Sequence, residues 1–189
     1  MSLGLDQTHT EIAVAIKKAI RPEGQDQQRL VFAAASNGGV TKARAFPACE
    51  RGIFCINASN GGGMDIGLLS PACVKEKSNF VTLGIQVPSK EKREGRSVDV
   101  YQSGTSFATP IAAGLAANIL EFARYELKMG EYEKKWLYSF RGMNAVLKRF
   151  SAETSGYRLL CPWRPPEGSR LTRDYLKNEI EKVMVENAD

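Results

Sequence analysis

Histidine is nearly absent from this chain of 189 residues, in which His9 is the one imidazole. The four cysteines form no C-x-x-C pair, so the side chains that build a zinc site are too few and wrongly spaced. Carboxylates do not cluster in a way that points to calcium. We therefore expect no metal and no cofactor, and we expect the cysteines to be buried free thiols.

Long apolar runs and basic blocks are also missing. No stretch reaches the roughly 20 apolar residues that we expect of a membrane span, and the first 20 residues lack the pattern of a signal peptide. The net charge of +5 comes from interspersed Lys/Arg and Asp/Glu, without the basic and aromatic array that tracks phosphates. These absences predict that neither a membrane nor a nucleic acid is a partner, and they leave the compartment open.

The sequence does contain the rhythm of a parallel α/β domain. An amphipathic pattern predicts a helix over residues 11–20, and the runs "RLVFAAASNGG" and "GIFCINAS" predict buried strands that end at turns. A third strand is expected in "NFVTLGIQV", followed by a charged surface insert, "SKEKREGR". The longest helix should run from Thr105 to about Arg124 and be buried between the sheet and partner helices.

The chain changes character after residue 124. Charged segments with helical spacing follow, together with the proline-rich turn "CPWRPPEGS". Five aromatic residues are expected to anchor this part to the body: Trp136, Tyr138, Phe140, Tyr157 and Trp163.

Ser106 lies where the longest helix begins, in "SGTSFATPIAAGLAANILEF". A serine hydroxyl becomes a useful nucleophile only with a base, a group that orients the base, and donors for the oxyanion. A helix N-terminus favours developing negative charge, and Gly104 leaves room for a substrate. Serine is also a frequent helix cap, so spacing alone leaves both interpretations open. A G-x-S-x-G elbow is excluded because that fold needs a histidine after the serine.

Four blocks in fixed order carry a more specific signal. "SLG" at 2–4, "VFAAASNGG" at 31–39, "FPA" at 46–48 and "GTSFATPIAAGLAA" at 104–117 resemble the second half of a subtilisin-like serine peptidase (subtilase) domain. The resemblance implies a partial subtilisin-like three-layer α/β fold with a mostly parallel sheet over residues 1–124. Residues 125–189 resemble the charged, mainly helical C-terminal extension of fungal members.

The resemblance also implies roles for individual residues. Ser106 would be the acylating nucleophile, with its own amide and the Asn37 side chain as oxyanion donors, whereas sequence alone favours an ordinary Asn-Gly turn at Asn37. Pro47 would shape a turn that is often cis in this family. The implied substrate-binding residues are Ser2, Leu3 and Gly4 on an edge strand, Ala33, Ala34 and Ala35 on a pocket wall, and Gly104 and Thr105 beside the nucleophile. For the three alanines, and for Ala34 especially, simple core packing is the alternative.

The acid and the base of the triad are missing from the sequence. Subtilases order the triad as Asp, His, Ser, and the first two lie upstream of the "SLG" strand. His9 lacks the H-G-T context, and Asp6, Asp26 and Asp65 have no histidine to orient. We therefore expect a fragment or truncated gene model of a serine endopeptidase that acts on proteins or peptides, inactive as an isolated chain. Two alternatives stay open: an inactive interaction module derived from a subtilase, and an unrelated α/β binding domain.

Overall fold

The computed structural model describes residues 1, 4–21, 28–75, 77–161 and 170–187. Its helices and strands, in chain order, are α1 (Thr10–Ile20), β1 (Val31–Ala34), β2 (Ile53–Ser59), α2 (Ile66–Leu69), β3 (Phe80–Leu83), β4 (Val87–Arg93), β5 (Arg96–Gln102), α3 (Thr105–Glu126), α4 (Glu131–Leu137), α5 (Phe140–Arg149), β6 (Ser151–Thr154), β7 (Tyr157–Leu160) and α6 (Arg173–Glu186). The predicted first helix, the three predicted strands and the long helix are all present.

A five-stranded sheet in the order β1-β2-β3-β7-β6 forms the centre of the molecule. β1, β2, β3 and β7 pair in parallel, and only β6 runs antiparallel to its neighbour. Every residue of β2 is buried, because helices cover both faces of a parallel sheet. The predicted α/β fold with a mostly parallel sheet is confirmed.

Alternating side chains divide the core into two larger clusters and a smaller third one around Val81. Phe32, Phe54 and Phe80 pack with the alanines of α3 and with α5 and α6. On the other face, Ala33 and Ala35 of β1 pack with Ile16 of α1. The sheet is thus the middle of three layers.

Helix α3 contacts the sheet through its smallest side chains. Ala108, Ala112 and Ala116 are buried there, whereas the predicted stripe of Phe107, Ile111, Leu115, Ile119 and Phe122 is only partly buried. The expectation of an all-round buried helix is therefore wrong, because small residues allow the close approach and the larger ones are turned aside. By length and composition alone α3 could also cross a membrane, so the expectation that no such stretch exists is wrong as well. Its contacts with β1, β2 and β3 are those of a core helix.

Two hairpins were not predicted from the sequence. The charged insert forms the antiparallel pair β4–β5, most of which is exposed. The tail contains the β6–β7 hairpin, and β7 joins the main sheet beside β3. The sheet therefore continues across residue 124, and the division into two domains at that residue stays a prediction. Of the proline-rich turn at residues 161–169, only Cys161 is among the described residues, so Trp163 lies outside them.

The four cysteines are free, but they are not all buried. Cys55 and Cys161 are buried, Cys49 is half-buried and Cys73 is exposed. The expectation of buried thiols therefore fails at Cys73, which lies in the loop before β3 rather than in a strand.

Candidate active site

The segment after β1 meets the start of α3 through a single asparagine. The Asn37 side-chain oxygen Oδ1 accepts hydrogen bonds from the Thr105 amide at 2.8 Å and from the Thr105 hydroxyl at 3.0 Å. Two donors on one oxygen fix which way the amide points. The Asn37 Nδ2 group is left without a hydrogen bond among the described residues, on an exposed side chain.

Gly104 opens a small space between Asn37 and Ser106. A Cβ placed on Gly104 would lie 3.0 Å from Ser106 Oγ and 3.2 Å from Asn37 Nδ2. A hydroxyl and an amide donor therefore border the same space, which any larger residue at position 104 would fill. An oxyanion site needs a hydrogen-bond donor beside the nucleophile, and that role for this space stays a prediction.

Ser106 is the second residue of α3 rather than its cap. The N-cap is Gly104, which has no side chain that could hydrogen-bond to the helix. The cap interpretation of Ser106 is therefore wrong: the Thr105 amide is satisfied by Asn37 from outside the helix. Ser106 is half-buried, and its own amide is among the first four of the helix, which have no acceptor within the helix.

Backbone strain precedes Asn37. Ser36 has φ 153°, a value that residues with a side chain rarely adopt. Its hydroxyl accepts a hydrogen bond from the Gly38 amide at 3.2 Å, which closes a local turn around Asn37. Ser36 was not predicted from the sequence, because its neighbouring residues do not indicate an unusual φ.

Gly84 sets the position at which α3 begins. A Cβ on Gly84 would lie 2.7 Å from the Ala58 Cβ and 2.9 Å from the Ala108 Cβ. The Gly84 carbonyl also accepts the Gly104 amide at 2.7 Å. This second residue missed by the sequence analysis ties the sheet to the glycine in front of Ser106.

The expected edge strand is described only in part, because Ser2 and Leu3 lie outside the described residues. The Met1 carbonyl accepts the Ala34 amide at 3.1 Å, so the start of the chain runs beside β1. Gly4 leaves no space for a side chain, since a Cβ there would lie 2.7 Å from the Ala45 Cβ.

The three alanines of β1 do not share one environment. Ala33 and Ala35 are core residues beneath α1, whereas Ala34 belongs to the opposite side of the strand and to neither large cluster. All three alanines are buried, so core packing describes each of them, and their proposed substrate-binding role stays a prediction. The Phe46–Pro47 bond is cis, as the resemblance suggested.

Ser106 Oγ forms no hydrogen bond to a base among the described residues. His9 is an exposed residue in front of α1, and α1 covers the face of the sheet opposite α3. Asp65 accepts a hydrogen bond from Asn60, Asp6 is exposed, and Asp26 is outside the described part. The described residues also contain no group of three metal-ligating side chains.

A sequence model of the subtilase family matches residues 1–152. The chain belongs to the subtilase family. The match runs past residue 124, so part of the charged tail lies within the region that the family shares.

Known proteins are similar to this chain in sequence or in fold. The subtilisin-like protease het-Q2 of Podospora anserina is 27% identical over 166 residues, covering 82% of this chain and 44% of the relative. The structure of the prenylagaramide maturation protease PagA has a TM-score of 0.62 at 18% identity and covers 97% of this chain and 60% of its own. The structure of the self-cleaved protease domain of PatA has a TM-score of 0.60 at 19% identity, and the match covers 95% of this chain and 58% of the PatA chain. This subtilase chain therefore spans about half the length of its relatives.

Proposed function

We propose that this subtilase chain carries the nucleophile and the oxyanion site of a serine endopeptidase. The observation that carries the proposal is the shared space at Gly104, bordered by Ser106 Oγ and Asn37 Nδ2. Family membership supports the reaction class and a protein or peptide as substrate. It also removes the alternative of an unrelated α/β binding domain.

The residues would act in a simple sequence. Ser106 Oγ attacks the scissile carbonyl carbon and gives its proton to a base, while the carbonyl oxygen becomes an oxyanion that accepts from Asn37 Nδ2 and the Ser106 amide. The base then protonates the leaving amine as the peptide C–N bond breaks, which leaves an acyl ester on Ser106. Water, deprotonated by the same base, hydrolyses this ester and returns the proton to Ser106.

The base and its acid partner would come from polypeptide outside the sequence described here. His9 is on the wrong face of the sheet for this role, and the carboxylates considered above have no histidine to orient. Without a base, Ser106 stays protonated and weak, so we propose that these 189 residues alone are inactive. The relative in Podospora anserina is consistent with a fungal-type enzyme.

The second candidate is a subtilase-derived interaction module without catalysis. The lack of a base among the described residues favours it. The order around Asn37 argues against it, because two hydrogen bonds from Thr105 hold that side chain although it is exposed.

Extending the reading frame upstream and labelling the product with a fluorophosphonate distinguishes these candidates. We expect the 189-residue chain to label no more than its Ser106→Ala variant, and an extended protein with an Asp-x-Gly strand end and an H-G-T helix start to label strongly. Labelling and peptide cleavage should both fall in Asn37→Ala, and to a smaller extent in Thr105→Val, which keeps the amide donor to Asn37 but removes the hydroxyl donor.

Two results would overturn the proposal. Strong labelling of Ser106 in the short chain would mean that a base exists within it. An upstream stop codon without these motifs would leave the inactive module as the better interpretation.

A further inference from the structure

A buried hydroxyl takes the place of a neighbouring strand at the carboxyl end of β2. β1 pairs with β2 only as far as Ile56, whereas β2 continues to Ser59. Beyond that point, Ser70 Oγ accepts a hydrogen bond from the Ala58 amide at 2.8 Å and donates one to the Ala58 carbonyl at 3.1 Å. Both residues are fully buried, so this one hydroxyl satisfies two backbone groups that water does not reach.

Ser70 also ends α2, and α2 holds the turn that contains Asn37. The Ser70 amide donates to the Ile66 carbonyl at 2.9 Å and so closes the single turn of α2. The carbonyl before it, that of Leu69, accepts the Gly39 amide at 2.8 Å. Gly39 lies two residues after Asn37, so the Ser70 hydroxyl fixes α2 to β2, and α2 in turn supports the candidate oxyanion donor.

Ala58 connects the same hydroxyl to the start of α3. A Cβ on Gly84 would lie 2.7 Å from the Ala58 Cβ, so the two residues are in close contact. The Gly84 carbonyl accepts the Gly104 amide at 2.7 Å, and Gly104 is the N-cap of α3. Contacts therefore lead from Ser70 to both sides of the candidate site.

We propose that Ser70 is a positioning residue of the candidate active site, which sets the distance between Asn37 and Ser106 without touching the substrate. This inference rests on the proposed function, because that distance matters only if the two side chains act on one carbonyl group. Removing the hydroxyl leaves the buried amide and carbonyl of Ala58 without partners, and such groups are costly until water reaches them. The end of β2 and α2 then separate locally, and the turn around Asn37 loses its support.

Amide hydrogen exchange followed by NMR tests the proposal in the full 189-residue chain, because it separates local opening from global unfolding. The reporters are the amides of Gly39 and Thr105, which donate to α2 and to the Asn37 side chain, respectively. In Ser70→Ala both should exchange about tenfold faster relative to the amides of α5, which report global unfolding. Ser59→Ala is the matched control: it removes a buried hydroxyl that bonds to β3 rather than one that holds α2, and it should leave this ratio unchanged. If circular dichroism shows Ser70→Ala to be unfolded, Ser70→Cys replaces it, because a thiol is close in size and a much weaker hydrogen-bonding group.

Peptide cleavage by the upstream-extended protein is the second measurement. Ser70→Ala should lower kcat about tenfold and leave KM within about twofold, because a displaced donor affects the developing oxyanion more than substrate binding. If the extended wild type neither labels nor cleaves, the proposed function fails, whereas the exchange ratio still decides whether Ser70 supports the turn.

Three results would overturn the positioning role of Ser70. They are equal acceleration of exchange at Gly39, Thr105 and α5, an equal change of the exchange ratio in Ser59→Ala, and an unchanged kcat in Ser70→Ala of an active extended protein. Each would mean that the hydroxyl contributes to stability alone.

Discussion

Asn37 shows how one residue can combine a structural and a chemical task. Its oxygen satisfies the first amide of α3, which a helix otherwise leaves without an acceptor. Its nitrogen is thereby turned toward the space at Gly104. In subtilisin, loss of the oxyanion-site asparagine lowers kcat by about two to three orders of magnitude, and the proposed role of Asn37 predicts a loss of similar size for Asn37→Ala in an extended protein that includes the base.

Ser36→Gly is predicted to stabilise the protein by about 1 kcal/mol. Removing the side chain relieves a φ of 153°, and this gain exceeds the losses from one exposed hydrogen bond and from the greater freedom of glycine in the unfolded chain. Chemical denaturation followed by circular dichroism measures the effect. Ser89→Gly in β4 is the control and should lower stability, because Ser89 has no positive φ to relieve. Equal destabilisation by both variants would contradict the assignment of strain to Ser36.

Helix α3 is placed by contacts that tolerate almost no added volume. Its alanines touch the sheet, and Gly84 lies between Ala58 of β2 and Ala108 of α3. The position of Ser106 relative to Asn37 therefore depends on small residues in three elements. Adding one methyl group at this contact should change the position of Ser106 relative to Asn37.

Two glycine substitutions test this close approach with opposite signs. Gly84→Ala should destabilise the protein by about 1–3 kcal/mol, since the new Cβ would lie 2.9 Å or less from Ala58, Ala108 and the Gly104 carbonyl. Gly114→Ala should stabilise it by up to about 1 kcal/mol, because this exposed position in α3 has open space around it and alanine is the better helix former. Denaturant midpoints measure both. A neutral Gly84→Ala would mean that α3 is free to shift.

The whole molecule is organised around one sheet with two differently filled faces. The α1 face is small and includes Cys55, whereas the α3 face also gathers α5 and α6 from the tail. Peptide chemistry is proposed at the carboxyl end of β1, where the strand leads to Asn37.

Cys55 gives the folded protein a distinct response to alkaline pH. Burial raises the pKa of its thiol from the ordinary 9.0 to about 11, more than Arg44 and Lys77 lower it. As the pH rises, the unfolded chain releases this proton before the folded protein does. The contribution of the protonated Cys55 thiol to the free energy of unfolding is therefore fully present below pH 9 and falls as the pH rises toward 11. Between pH 9 and pH 11 the free energy of unfolding of the wild type should fall by about 2 kcal/mol more than that of Cys55→Ala. Urea denaturation at several pH values measures this difference. Parallel profiles for the two proteins would contradict this prediction.

The sequence by itself determined the elements and the family. Short apolar runs and helical spacing located α1, β1, β2, β3 and α3, and four ordered blocks indicated the subtilase family, because these signals can be read from the residues themselves. The β6–β7 hairpin was not predicted: β7 becomes a strand by pairing with β3, which is about 75 residues away in the chain. Only the tertiary structure decided that Asn37 rather than Ser106 satisfies the first helix amide, and that Ala33 and Ala35 rather than Ala34 belong to the α1 core. These outcomes depend on which surfaces meet across the fold, and no local pattern records that.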